Sequence, residues 1–334
     1  MGHTSPTIGF RLPQYSRVRL PGGLEVIAAG PTLDGRAYLV PRWSQLDDCG
    51  NRLVTERRAK AVKAAIADNW AEHQKRIGRG ISEHFGAYPG STFIIVGSGP
   101  GLLRNGTLIS RVPNVYTVAL NAGLKYFRGR EGVIDFYFSL DWKGDPTWLD
   151  GVDTTGIELL TSVTTPPALL DRFDKYGHFV GMTSTIDGEE GVNEKFGHLG
   201  TLDAGLTGTY SAMHFAWRCG AKRIVLVGQD FAVRFGLYHW DEPLPWKVAN
   251  ERKFHAAEDA DGTTLLTDYE LKRNMSLIRA AAMWCREDGV EVVNATEGGI
   301  LDWNRKRLAD VYEEIAEEGN RCPQDIPSTS PAAV

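Results

Sequence analysis

The residues of this chain best suited to chemistry stand just past short apolar runs. The first run, Ser91–Val96, stops in Gly97-Ser98-Gly99-Pro100-Gly101. A buried parallel strand that ends in small residues lets backbone amides approach a negative group more closely than any side chain allows. Gly97, Ser98, Gly99, Pro100 and Gly101 therefore form a candidate phosphate or nucleotide cradle. The alternative is a tight strand-to-helix turn without a ligand, the usual meaning of a lone glycine-rich turn. Further runs end in polar residues: Val115–Leu120 in Asn121, Ile134–Leu140 in Asp141, and Arg223–Val227 in Gly228-Gln229-Asp230. The last, Val290–Val293, ends in Asn294-Ala295-Thr296-Glu297-Gly298-Gly299. In an open parallel sheet the carboxyl ends of the strands share one edge, so these groups converge although they are distant in sequence.

The elements that must position them follow from periodicity. From Ser91 onward strands alternate with helices, which predicts an α/β fold: a Rossmann-like, doubly wound, mostly parallel sheet. Strands are expected near 92–97, 115–120, 134–140, 157–161, 178–181, 223–228 and 290–294, and helices near 107–111, 167–175, 208–219, 267–287 and 302–317. Upstream, one strand or hairpin is expected from Leu24 to Val40. A helix is expected over Glu56–Ile81, where Val62, Ile66, Trp70, His73, Ile77 and Ile81 recur along one face. The chain thus divides into an N-terminal extension (1–88), a nucleotide-binding domain (89–318) and a mobile tail (319–334). Two long segments interrupt the alternation, 181–207 and 231–264. Both follow strands, and both read as lids or acceptor-binding loops at the sheet edge that carries the cradle.

Composition narrows the class. A chain of 334 residues holds one large α/β domain with accessory segments, or two modest ones. No apolar run is long enough to span a bilayer and the N-terminus has no secretory pattern, so the default compartment is the cytoplasm, of a cell or of a virus-infected cell. Cys49, Cys219, Cys285 and Cys322 are widely spaced, which argues for free thiols over zinc or disulfide frameworks. The formal charge of −5 supplies no general attraction to nucleic acid. The expected helix near 57–79 does carry a basic face of Arg57, Arg58, Lys60, Lys63, Lys75, Arg76 and Arg79, a contact surface for a polyanion or simply a solvated face.

Taken in order, several blocks resemble one family, the proteins with a domain like that of archaeal 6-hydroxymethylpterin diphosphokinase, which includes the motility-associated flagellin glycosyltransferases. The blocks are Val96-Gly97-Ser98-Gly99-Pro100-Gly101-Leu102, Ala119-Leu120-Asn121-Ala122, and Ile134 through Asp141. They continue in Thr207-Gly208-Thr209, Ile224 through Phe231, His239, and Asn294 through Gly299, together covering roughly 91–301. A looser similarity joins the chain to bacterial sialyltransferases, in which a Gly-Pro turn and a following Asn hold a cytidine nucleotide sugar. Their general-base histidine aligns near Gly262-Thr263, where this chain has none.

The resemblance implies glycosyl transfer or pyrophosphoryl transfer, each needing a nucleotide held by its phosphates and a hydroxyl acceptor activated by a base. The donor is then a nucleotide sugar, or ATP. The amides of Gly97–Gly101 are the expected phosphate donors, Asn121 the contact to base or ribose, and Thr207, Gly208 and Thr209 a phosphate-binding helix start or a plain N-cap. Gln229, Asn294, Thr296 and Glu297 complete the expected nucleotide site. Asp141 and Asp230 are expected to position the acceptor, act as base or bind Mg²⁺, unless each merely caps a helix or pairs with an arginine. His239 and His255 are the candidate bases at neutral pH, and Trp240 and Trp246 either stack on a ring or anchor their loop. Glycosyl transfer predicts a pocket that takes nucleotide plus sugar, and diphosphokinase activity predicts a tight carboxylate cluster with Mg²⁺. A non-catalytic nucleotide-binding scaffold is the third reading. The long loops favour a bulky acceptor and hence glycosyl transfer.

Overall fold

The computed structural model describes residues 15–19, 23, 25–31, 37–45, 69, 73, 75–76, 79–130, 132–141, 144, 146–162, 165–181, 197–203 and 207–320. Most of the expected basic helix, most of the 181–207 segment and the tail from 321 lie outside these residues. Of the basic face, Arg76 pairs with Asp171 at 2.7 Å and Arg79 with Glu83 at 2.7 Å, so both are engaged by carboxylates.

A small antiparallel sheet comes first, with β1 (Arg17–Arg19), β2 (Glu25–Pro31) and β3 (Ala37–Pro41) in that order. The main sheet contains β4 (Thr92–Val96), β5 (Val115–Leu120), β6 (Phe136–Ser139), β7 (Glu158–Ser162), β8 (Lys175–Gly181) and β9 (Thr201–Leu202). It is completed by β10 (Arg223–Val227) and a last strand, Glu291–Asn294. Between them lie four short strands: β11 (Leu237–His239), β12 (Glu242–Pro243), β13 (His255–Glu258) and β14 (Thr264–Thr267). The last strand is therefore β15.

The main sheet is eight-stranded in the order β15-β10-β4-β5-β6-β7-β8-β9, and every pairing is parallel. The fold is the expected Rossmann-like one. From β4 the chain steps outward to β9, then returns to lay β10 and β15 on the other side of β4. The direction of winding thus reverses between β4 and β10, and such a switch point opens a crevice at the carboxyl ends of the two strands.

Both faces of the sheet are buried, which is why its strands read as unbroken apolar runs. Phe93, Ile95, Val118, Leu120, Phe136 and Phe138 pack under the helices Gly208–Arg218 and Tyr269–Glu287. Their neighbours Ile94, Val96, Ala119, Tyr137, Val225 and Val227 face Leu102, Leu308 and Val311 on the opposite side. The N-terminal strands join the first of these cores. Ile27, Ala29 and Val40 are buried in it, Trp284 donates its indole N–H to the Val40 carbonyl at 3.0 Å, and Trp43 donates to the Tyr210 hydroxyl at 3.1 Å.

Three expected helices differ. The 107–111 helix is replaced by a turn of α-helix at Leu102–Asn105 running into a 3-10 turn, Gly106–Leu108, because the chain turns helical directly after Gly101. The 167–175 helix is a 3-10 segment, Pro167–Arg172, cut short because β8 starts at Lys175 to pair with Glu158. The last helix starts at Leu308 instead of 302, since Arg305 first runs beside Asn294 along the edge of β15. The 269–287 helix follows its sequence signals: Asp268 caps Leu271 N–H, and Gly289 leaves with φ +81°.

If the N-terminal strands share this core, Trp43→Ala should lower the stability of the whole domain by about 3–5 kcal/mol, read from urea unfolding by tryptophan fluorescence and far-UV circular dichroism. An unchanged main transition would mean that the two sheets fold separately.

Candidate functional site

At the switch point the ends of β4 and β10 pass so closely that side chains are excluded. A methyl group at Gly97 would overlap the Gln229 amide, and one at Gly99 would overlap the Asp230 carboxylate. One at Gly101 would stand 2.8 Å from the Thr296 carbonyl. The glycines are therefore required by packing. Their N–H groups are also engaged: Gly97 donates to the Val227 carbonyl at 2.8 Å and Gly99 to the Gly228 carbonyl at 2.9 Å. Gly101 N–H is shared by both Asp230 oxygens, at 2.9 and 3.0 Å. This corrects the expectation of an amide cradle. Pro100 has no N–H, and among the described residues the Ser98 amide has no backbone acceptor.

Beside this knot lies a cavity of about 160 Å³. Gly97, Ser98, Gly99, Asn121, Thr207, Gly208, Thr209, Gln229, Asp230 and His239 all line it, so strand ends and a helix start from five separate stretches of sequence do meet. Its volume is below the roughly 300–1,000 Å³ of sites that enclose a drug-sized ligand.

The donor wall of the cavity is the start of the Gly208–Arg218 helix. Thr207 occupies the N-cap position, yet its side chain makes no capping bond. The N–H groups of Gly208 and Thr209 precede the first intrahelical bonds, and the helix dipole adds partial positive charge there. Gln229 is 5% exposed; its Oε1 accepts from the Thr209 hydroxyl at 2.8 Å, and its backbone N–H donates to Thr296 Oγ1 at 3.0 Å. Asn121 adopts φ +44° immediately after β5, a left-handed conformation that Asn tolerates better than most residues.

His239, carried by the β11–β12 hairpin, lines the same cavity. Its Nδ1 is 2.9 Å from Ser98 Oγ, and its Nε2 is 4.0 Å from a Glu242 carboxylate oxygen. Burial holds the imidazole below its ordinary pKa, against the pull of Glu242 and Asp241 and the hydrogen bond at Ser98. It is a neutral base at pH 7. The hairpin is pinned by Trp240, which donates its backbone N–H to Ser98 O at 2.9 Å and its indole N–H to Ala122 O at 3.1 Å. Trp240 thus anchors the loop. His255 stands exposed on β13, away from the cavity.

Asp230 is 2% exposed, and burial pushes its pKa up to about 7 against the Gly101 N–H and the charges of Arg234 and Arg104. Asp141 stands two residues past the end of β6 and does not line the cavity. Three strand spacings, about 14 Å, separate β6 from β10, so the two carboxylates do not share one ion. With both Asp230 oxygens turned to an N–H donor as well, this pair does not fit an Mg²⁺ site. Among the described residues no cluster of three or more His, Cys, Asp or Glu side chains is arranged to hold a metal.

The segment after β15 supports the site from behind instead of lining it. Asn294 donates to Leu301 O at 2.7 Å and accepts from Thr296 N–H at 3.1 Å. Glu297 accepts from Asn105 at 3.1 Å and from Leu308 N–H at 2.8 Å, capping the last helix. Asn294, Thr296 and Glu297 are thus corrected from ligand contacts to structural ones. Sequence reasoning missed Tyr238, Leu271 and Asn274, which complete the cavity wall. Leu271 and Asn274 are one helical turn apart, a spacing visible in the sequence, but neither follows a strand.

The fold and the crevice together define a Rossmann-like α/β protein with its site at the switch point. Within that class the chain belongs to the MptE-like family, whose model, described as 6-hydroxymethylpterin diphosphokinase MptE-like, matches residues 66–235. Among solved structures it is similar to the MAf glycosyltransferase from Magnetospirillum magneticum AMB-1, at 15% identity and a TM-score of 0.47. That similarity covers 68% of this chain and 35% of the other, so the chain spans about a third of that protein. No curated protein sequence matches it. No described helix is long and apolar enough to cross a membrane.

The buried Asp230 makes stability depend on pH. Its folded pKa of about 7 lies well above the ordinary aspartate range, so the folded chain binds this proton more tightly than the unfolded one. The stabilisation is complete below about pH 4 and is lost as pH rises through 7. Asp230→Asn should therefore flatten the change of urea midpoint between pH 4 and 8. A variant with the wild-type slope would assign that dependence to other groups.

Proposed function

We propose that this protein is a glycosyltransferase that moves a sugar from a nucleotide-sugar donor to a hydroxyl acceptor. One observation carries the reading: a helix N-terminus and a histidine whose pKa burial lowers line a single cavity at the switch point. A helix start favours a phosphate leaving group, and a neutral imidazole accepts a proton. Membership of a family named for a phosphoryl-group transferase supports a phosphate-activated donor.

In this mechanism Ser98 Oγ accepts from His239 Nδ1–H, which leaves the Nε2 lone pair for the proton of the acceptor hydroxyl. The acceptor oxygen bonds to the anomeric carbon as the bond from that carbon to the phosphate oxygen breaks. The departing electron pair stays on the phosphate, against the N–H groups of Gly208 and Thr209. Glu242, 4.0 Å from Nε2, and the nearby Asp241 favour the imidazolium that results. The hairpins carrying β11 to β14 form the acceptor side, with Tyr238 held by a hydrogen bond from Arg252 at 2.9 Å.

The family description also supports pyrophosphoryl transfer from ATP to a hydroxymethyl heterocycle, and the two reactions release different products. Incubation with a panel of nucleotide sugars and with ATP, with and without Mg²⁺, should release nucleotide from one sugar donor, measured by anion-exchange chromatography. His239→Ala should slow that release about 10²- to 10⁴-fold while donor binding persists. Release from wild type should fall as pH drops through the lowered histidine pKa. AMP formed from ATP would establish the diphosphokinase reading instead, and binding without any turnover would establish a scaffold.

A further inference from the structure

The hairpin that carries His239 is docked on the segment that follows β5. Three of the docking contacts fall within Asn121–Phe127, a 3-10 segment whose first residue lines the cavity. Ala122 O receives the Trp240 indole N–H at 3.1 Å, Tyr126 meets the Trp240 ring edge to face with centroids 5.1 Å apart, and Lys125 Nζ lies 2.9 Å from a carboxylate oxygen of Asp241. The first two hold the indole. The third holds a charge, and that charge stands two residues from the imidazole.

These contacts differ in what they do for His239. Trp240 is partly buried against the core and fixes the depth of the hairpin. The Lys125–Asp241 pair is more open, with 38% and 23% of the two side chains exposed, and a pair so exposed adds little to folding stability. Its effect is local. Asp241 and Glu242 both pull the His239 pKa upward against burial, so a carboxylate turned toward the ring favours the imidazolium and removes the base. Glu242 stands 4.0 Å from Nε2, whereas Asp241 is directed at Nζ of Lys125, which balances its charge. The remaining groups around the ring are engaged elsewhere or neutral. The Ser98 hydroxyl meets Nδ1, Asp230 has both oxygens on the Gly101 N–H, and Arg252 donates to the Tyr238 hydroxyl and to Asp268.

We propose that Lys125 is a positioning residue for His239: its ion pair with Asp241 holds that carboxylate away from the imidazole and so keeps the ring in its neutral, proton-accepting form. Lys125 does not line the cavity, so its influence passes through the hairpin. The inference rests on the proposed function only in taking His239 to be the base.

The test is titration of the His239 ring in the full chain by ¹H–¹³C NMR of histidine-labelled protein, with His239→Gln to assign the signal. Lys125→Met should raise the midpoint by roughly 0.3–1 pH unit, the effect of one carboxylate released beside a partly exposed imidazole, while Lys125→Arg should keep it near the wild-type value. Nucleotide release by the methionine variant should be about two- to tenfold slower on the acid side of the rate profile and normal on the plateau. Asp241→Asn should lower the midpoint, and in that background Lys125→Met should move it much less. Circular dichroism and thermal midpoints establish that each variant is folded, and Lys125→Gln serves if the methionine variant is not. An unmoved midpoint in the Lys125 variants would overturn the proposal, even with a loss of rate at every pH, because the ion pair would then be purely structural. Equal movement with and without Asp241 would also overturn it, since Lys125 would then act on the ring by its own charge. A midpoint set through Lys125 and Asp241 in a chain that transfers no sugar would retain the inference and reject the glycosyltransferase reading.

Discussion

The site depends on the contact between the Asp230 carboxylate and the Gly101 N–H. Through it the turn after β10 grips the turn after β4, the two strands between which the winding of the sheet reverses. Gly99 and Gly299 keep the space around Asp230 clear, since a side chain at either would overlap it, and Ile300 N–H donates to its backbone carbonyl at 2.9 Å. With these turns locked together, Gln229 is presented to the cavity on one side and Thr296 is held on the other. A carboxylate that looks catalytic from its place in the sequence is the fastener of the crevice.

The division of labour that results is unlike a phosphate-binding loop. The glycine turn spends three of its N–H groups on protein acceptors and gives shape to the wall, while the start of the Gly208–Arg218 helix stands at the cavity. That helix is positioned from the other end of the chain. Tyr210 receives the Trp43 indole N–H and its hydroxyl donates to Asp203, while Ser211 donates to the Asp203 carbonyl at 2.9 Å. Trp43 also stacks on His214, with ring centroids 4.8 Å apart. The N-terminal strands therefore contribute to the placement of the helix start without approaching the cavity.

What was legible in the sequence has a physical basis. Central parallel strands are buried on both faces, so Thr92–Val96 and Arg223–Val227 read as strands without reference to any partner, and the switch-point convergence follows from their polar ends. Asn121 and Gln229, which line the cavity, were picked out by that logic, whereas Thr207 was read as a helix start and His239 came from the family resemblance. Direction was not legible: residue types do not show whether an amide points at a ligand or at a neighbouring carbonyl, and Gly97 and Gly99 point at carbonyls. Nor could spacing distinguish Glu297, which caps a helix eleven residues later, from a ligand contact. Of the connections from β5 to β8 only 167–175 was legible as helix, and it is a shorter 3-10 segment because β8 begins at Lys175; the 3-10 segment Asn121–Phe127 was not foreseen.

The segment between Asp230 and Asp268 leaves the sheet and returns to nearly the same place. The Thr267 hydroxyl donates to the Phe231 carbonyl at 2.9 Å, and the antiparallel bridge between Val233 and Leu266 zips the two stems together. A loop closed at its base in this way can change in length or content at little entropic cost to what lies beneath it, because closure entropy grows only slowly with length. Asp268 then starts the next helix from a cap bonded to Leu271. The outer part of this segment is in this sense a cassette that can change by insertion or exchange, while Tyr238 and His239 near its stem keep their place in the cavity wall.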